Sequence, residues 1–425
     1  MKMRESHKPK AWQEILGETL PRITLLIYVL IATSGAFSGG LWASAGIGSG
    51  IILYLGTALL ERRWPCPSLE LLLLALAALT IMALLNLLSI NPSASWHIWT
   101  NLLTIFLPLC LLTAPEIRGR ADHKHLFTSL ILAACVGAFA LGVELFLNAP
   151  VLHIAKGTYA GLTQYNRGLS YLIILAMPIL ASLRIKPAAA AENLRQKLHK
   201  TIPFALFIAV LLFPTSFSES RTSKLALLLA LAVAAAAYYT PKITIWCVKI
   251  STILLLSWPF VIQKAFTQFH DRLSHIPESW HHRMEIWDYM SYRIMEHPWL
   301  GWGLGTSHLL NFQEPHGNLY QFAKEPIHPH NVVTQLWVEL GLPGLALGLA
   351  FAFLTLRQIT RLSTPLVPFA LGAWTAALCL SLVAYNFWTD SLFAAFALTA
   401  FAFMLLERRI QSSNHISFTF QNISD

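Results

Sequence analysis

Residues Leu69 to Ile90 read LELLLLALAALTIMALLNLLSI, with Glu70 as the one ionisable side chain. An apolar run of about 18 residues or more is long enough to cross the hydrocarbon core of a bilayer as a helix. Further apolar runs recur from end to end, at Ile23 to Leu41, Phe127 to Leu147 and Leu225 to Tyr239. Lipid offers no partner to backbone N–H and C=O groups, so a spanning segment must satisfy its own hydrogen bonds. The runs are continuous and do not alternate, which argues against a β-barrel. Of the 425 residues, 55% are hydrophobic and only 12% are charged, and this excludes a soluble fold. The fold class is all-α, a polytopic helical membrane protein.

A window of about 20 residues gives about twelve transmembrane helices. Their expected limits are 23–40, 42–60, 69–90, 98–114, 126–148, 168–184, 202–214, 223–240, 243–264, 332–356, 365–384 and 389–406. With these limits, 20 of the 30 Lys and Arg residues fall on the amino end and the even-numbered connections. Arg62, Arg63, Arg118, Arg120, Arg357, Arg361, Arg408 and Arg409 are among them. The positive-inside rule makes that face cytoplasmic and places both termini there. A basic amino end before an apolar stretch also suits a cleaved signal peptide. The charge alternation holds only if that stretch is kept, so it is read as an uncleaved first span. Five cysteines, mostly inside apolar runs, give no disulfide or metal framework. The net charge of +9 is accounted for by cytoplasmic loops, and nucleic acid is not an expected partner.

Between the ninth and tenth spans the character changes. The stretch Gln268 to Asn331 holds nine of the sixteen histidines. The organisation expected is 1–264 with transmembrane helices 1–9, a large periplasmic loop at 265–331, and 332–425 with helices 10–12 and a short cytoplasmic tail. Trp280, Met284, Trp287, Ser291 and Ile294 recur at spacings of three and four, which predicts a helix over 280–295. Its Trp and Tyr residues suit a membrane interface, and the His281–His282 pair is expected at its surface. Pro298 ends the helix, and Gly301, Gly303 and Gly305 make a turn that backbone can approach closely. As a phosphate cradle the turn is a weak signal, since no strand precedes it.

His328-Pro329-His330-Asn331 closes the insert at the mouth of a span. His330 or Asn331 there caps the helix, or His330 serves as a proton-transfer group where water meets lipid. His328 and His330 at spacing two lack the further ligands a metal site needs. The chain has five aspartates and no Asp-x-Asp pair, so no metal and no cofactor are expected. Arg221 and Lys224 stand one turn apart at an outer span entrance, and charged residues there are functional candidates. Pairing with Glu219 or snorkelling to lipid phosphate is the structural alternative. Arg283 has Glu285 and Asp288 as local partners; Arg293 and Arg167 are further candidates. Two guanidiniums and a histidine on one outer face suit a diphosphate, because Arg offers planar bidentate donors.

The chain resembles the O-antigen ligase family, within the group that includes O-antigen polymerases and O-oligosaccharyltransferases. The resemblance rests on Ser220-Arg221 opening a span and on Arg283-x3-Trp287 running on to His297-Pro298-x-x-Gly301-x-Gly303-x-Gly305. It rests also on His330-Asn331 leading into Glu339-Leu340-Gly341-x-x-Gly344, and on the span count with a large late loop. It implies a glycosyltransferase fold of the GT-C-like kind in the bacterial inner membrane, with the site facing the periplasm. The implied donor is an undecaprenyl-diphosphate-linked O-antigen, and the implied acceptor is a sugar hydroxyl of lipid A–core. Matching motifs make His330 catalytic and Arg221 and Arg283 the diphosphate-binding pair. Lys224, Arg293, His328, Asn331 and Arg167 are possible supporting residues. A polymerase or oligosaccharyltransferase using the same donor stays open. A transporter fits the span count, but no pair of interrupted spans in corresponding halves supports it.

Overall fold

The computed structural model describes residues 11–157, 161–185, 194–269, 277–310 and 328–421. Among them every regular element is helical. The first eight α-helices are α1 (Ala11–Thr33), α2 (Gly40–Glu61), α3 (Leu69–Asn86), α4 (Pro92–Leu111), α5 (Pro115–Ala121), α6 (Leu126–Phe146), α7 (Pro150–Lys156) and α8 (Asn166–Arg184). The others are α9 (Leu194–Phe217), α10 (Arg221–Tyr239), α11 (Pro241–Leu254), α12 (Trp258–Phe269), α13 (Glu278–Glu296), α14 (Val332–Arg361), α15 (Val367–Val383) and α16 (Asp390–Gln421). Among the described residues, ten helical stretches are long and apolar enough to cross a membrane, and there are two shorter apolar helices, Thr201–Phe217 and Val367–Val383. The chain is a multi-pass helical membrane protein.

Several expected limits shift for local reasons. The first span was expected at 23–40, but α1 runs from Ala11 to Thr33 and a turn follows. There the Trp42 indole N–H donates to Gly35 O at 3.2 Å, closing α2 back on the end of α1. The expected 243–264 span is two helices, because a tight 3-10 turn at Leu255–Ser257 interrupts it just before Pro259. The expected 332–356 span is kinked at Gly341, whose φ of 61° and ψ of −149° leave the helical region. Of the polar insert, residues 270–276 and 311–327, with His270, His275 and His316, lie outside the described residues.

Helix α8 is the hub. Every residue from Gly168 to Ala181 is buried, and α6, α9, α10, α15 and α16 pack around it. Small residues permit close approach where lipid supplies no hydrophobic drive between helices. A Cβ on Gly50 would meet Pro108 O at 2.2 Å, so α2 and α4 touch backbone to backbone there.

The bundle has two polar ends. At one, Arg120 reaches Glu61 at 2.8 Å, Arg409 reaches Asp122 at 2.6 Å and Arg357 reaches Glu70 at 3.0 Å. These pairs tie the end of α2, the short α5 and the start of α3 to the ends of α14 and α16. The other end gathers the starts of α8, α10, α14 and α16 with the end of α15, and it holds His330.

Candidate active site

Helix α13 covers Glu278–Glu296, where a helix was expected over 280–295. It is not a surface helix. Trp287 is 1% exposed and His281 is buried too, its Nε2 lying 3.4 Å from Glu285. The expected surface exposure of His281 and Trp287 is corrected: an amphipathic period reports one buried face, and that face meets protein, chiefly α12 and α14.

Arg283 and Trp287 stand one turn apart on α13, so they share a face. The Trp287 indole N–H donates to Pro329 O at 2.7 Å. Arg283 donates through Nε to Val383 O at 3.0 Å and through Nη1 to Ser279 O at 2.6 Å. One helix face thus grips both the His328–His330 segment and the end of α15.

Asn331 takes the helix cap: its Oδ1 accepts the Thr334 N–H at 3.0 Å. Its amide also donates to Leu382 O at 3.1 Å. His330 has φ of 52°, in the left-handed region, and its Nδ1 lies 3.1 Å from Ala384 O. The carbonyls of Leu382, Val383 and Ala384, which a helix end leaves without intrahelical partners, are therefore met by Asn331, Arg283 and His330 in turn.

This arrangement fixes protons. A carbonyl oxygen only accepts, so Nδ1 of His330 carries the hydrogen and Nε2 keeps its lone pair. The His330 backbone N–H donates to Nδ1 of His328 at 3.2 Å, so the neutral His328 ring carries its hydrogen on Nε2. The two ring centres are 3.9 Å apart. Burial pushes His328 down to about 3, helped by His330, Arg167 and Arg283. Burial also pushes His330 down to about 4, with Arg283 and His282 adding to it and the Ala384 carbonyl opposing it. Near neutral pH one ring offers a lone pair at Nε2 and its neighbour offers an N–H.

The structure brings some candidates together and leaves others apart. Arg283 is half-buried beside the pair. Arg167, at the start of α8, is exposed and close enough to act on His328 and Tyr385. Arg221 is exposed in the first turn of α10, where Ser220 caps the helix through the Ser223 N–H at 3.1 Å. Lys224 donates to Ser216 O at 3.1 Å, so it caps the end of α9. Arg293 pairs with Glu296 at 2.8 Å and with the Tyr289 hydroxyl at 2.8 Å, and Trp302 donates to its backbone oxygen. Arg293 thus anchors the glycine turn and is not joined to the histidine pair by these contacts.

The glycine turn packs on the α14 kink. Trp302 and Gly303 donate to Val338 O and Glu339 O at 2.9 Å each. The Gly305 N–H donates to the Glu339 carboxylate at 2.6 Å, and Trp388 donates to the same oxygen at 2.5 Å. These N–H groups are spent inside the protein, which removes the phosphate-cradle reading of this turn. Sequence reasoning passed over Tyr385 and Asn386. The available signal was a pair of polar residues in the short connection between two apolar runs.

Residues 203–349 match the family model described as O-antigen ligase. Over that stretch the chain is similar to the O-antigen ligase family. A Rickettsia typhi protein, named a candidate polysaccharide ligase, is 24% identical over 71% of this chain and 72% of its own length. A Rickettsia conorii protein with the same kind of name is 31% identical over 25% of this chain, and the chain spans 27% of its length. The matched stretch includes Arg221, Arg283 and His330. It stops before α15, so the carbonyls that hold Arg283 and His330 come from outside it.

Proposed function

We propose that this chain is a glycosyltransferase of the O-antigen ligase type. It moves O-antigen polysaccharide from undecaprenyl diphosphate to a sugar hydroxyl of lipid A–core, at the periplasmic face of a bacterial inner membrane. The observation that carries the reading is the shared anchorage of His330 and Arg283 on adjacent carbonyls of one helix end. A proton acceptor with a defined tautomer and a guanidinium with free N–H groups are thereby held beside each other. The family match and the names of the relatives support the polysaccharide class. The gathering of Arg120, Arg357 and Arg409 at the opposite end supports a periplasmic site, because basic residues mark the cytoplasmic face.

In the reaction the acceptor hydroxyl oxygen attacks the anomeric carbon of the donor. The bond from that carbon to the phosphate oxygen breaks, and the electron pair leaves with the lipid diphosphate. Nε2 of His330 takes the hydroxyl proton. Arg283 and Arg221, with Arg167 in support, meet the charge growing on the diphosphate, the role a divalent cation has in other transferases. Displacement in one step inverts the anomeric configuration. The low proton affinity of His330 comes from its burial and from the nearby Arg283 guanidinium. A bound diphosphate brings negative charge beside it and raises that affinity.

The test is transfer by purified protein from a defined undecaprenyl-diphosphate donor to lipid A–core, with and without chelator. Transfer that resists the chelator supports the account. Product formed only on a second lipid-linked oligosaccharide would make the chain a polymerase.

A further inference from the structure

We infer that Tyr385 is a positioning residue for this transfer: it locks the helix starts bearing Arg167 and Arg221 to the turn that orients His330. The inference rests on the reading of the site given above.

Tyr385 follows Ala384 directly and is 8% exposed. Its hydroxyl lies 3.0 Å from Asn166 O and 2.7 Å from Ser170 Oγ. Ser170 Oγ lies 2.9 Å from Ser223 Oγ, which lies 2.7 Å from Ser220 Oγ. The direction of the whole chain follows from its end. Asn166 O only accepts, so Tyr385 spends its proton there. Ser170 must then donate to Tyr385, Ser223 to Ser170, and Ser220 to Ser223. Each hydroxyl donates once, and all four point the same way.

This polarised chain begins at the cap of α10, one residue before Arg221. It ends at Asn166, one residue before Arg167. Its last hydroxyl belongs to Tyr385, the residue that follows the His330 anchor. Ser170 and Ser223 are both 0% exposed. Buried hydroxyls inside a membrane bundle are costly unless fully satisfied, and such polar chains mark functional sites. A hydroxyl chain of one polarity has one low-energy geometry, so it holds the two arginine-bearing helix starts and the His330 turn in register.

Tyr385→Phe keeps the ring and removes the hydroxyl that joins Ser170 to Asn166 O. The expected result is a kcat lowered about 10- to 100-fold, the scale of a small misalignment of reacting groups. The KM for the undecaprenyl-diphosphate donor should stay within about two-fold, since the arginines remain. Ser170→Ala breaks the chain one step earlier and should show the same split. The double variant should lose little more than Tyr385→Phe alone, as members of one network do. Tyr28→Phe is the control: it removes a buried hydroxyl bonded to Leu398 O, away from the chain, and should leave kcat unchanged.

Wild-type kcat in folded Tyr385→Phe overturns the inference. So does a parallel shift of kcat, KM and thermal midpoint, which is what a merely structural role gives. If Tyr385→Phe does not fold, Ser170→Ala decides by the same criteria. Wild-type protein that makes no product from this donor overturns the transferase reading and the inference with it. Wild-type transfer with an unimpaired variant overturns the inference alone.

Discussion

The Nδ1 atom of His330 lies 3.1 Å from the carbonyl oxygen of Ala384, just past the last residue of α15. Arg283 holds the preceding carbonyl, that of Val383, at 3.0 Å. A residue of α13 and a residue just before α14 thereby take their positions from adjacent carbonyls at the end of α15. A change at either partner is felt at both.

The depressed proton affinities give a pH dependence with a defined sign. His330 falls from the ordinary 6.5 to about 4, and His328 to about 3. Between those values and 6.5 the unfolded chain binds more protons than the folded one. Stability is therefore full above pH about 6.5 and is lost as pH falls toward about 4. Thermal unfolding in lipid nanodiscs should show the midpoint dropping over that interval, with a shallower slope in His330→Gln. The acid limb of kcat/KM, which reports the free protein, should lie near pH 4 and not near 6.5.

Arg283→Lys keeps the charge and loses the fork. One ammonium cannot span Val383 O and Ser279 O and still face a diphosphate. Hydrogen bonds of charged groups contribute about 1.5–3 kcal/mol, so transfer should fall roughly 10- to 100-fold. Steady-state rates with saturating acceptor measure this. A lysine variant with wild-type kcat/KM for the donor would remove the fork from the account.

Trp287→Phe deletes the indole N–H that holds Pro329 O and keeps most of the ring packing. The cost in stability should be about 0.5–1.5 kcal/mol. Hydrogen exchange should quicken at the amides of His330 and Asn331. Unchanged exchange there would mean that Trp287 does not fix the histidine segment.

Gly301→Ala meets two obstacles. The residue has φ of +67°, and an added Cβ would lie 2.5 Å from the Glu339 backbone. Left-handed strain costs about 1–3 kcal/mol before the clash is counted. The variant should melt earlier than wild type and show a loosened contact between the glycine turn and α14. An equal melting temperature would contradict the packing described for this turn.

Much of the fold was legible because bilayer thickness sets the length of apolar runs, and that signal needs no partner. Helix α13 was legible from its period. The burial of Trp287 and His281 was not, since a period names a face and not what covers it. The end of α1 at Thr33 was missed because the hydropathy window runs across the small residues of the turn. At the site, His330, Arg283 and Arg221 stood out as charged or titratable groups where a span begins or along the expected helix. Their mutual anchorage did not, because Arg283 and Val383 are 100 residues apart and His330 and Ala384 are 54 apart. Tyr385 and Ser170 were silent for a related reason: a hydroxyl in an apolar run looks like any other until its partner is known.

The most direct measurement compares single-turnover transfer by wild-type protein and by His330→Ala, with a defined undecaprenyl-diphosphate donor and lipid A–core. The account predicts product from the wild type and essentially none from a variant that is folded and still binds donor. Full transfer by folded His330→Ala would contradict it.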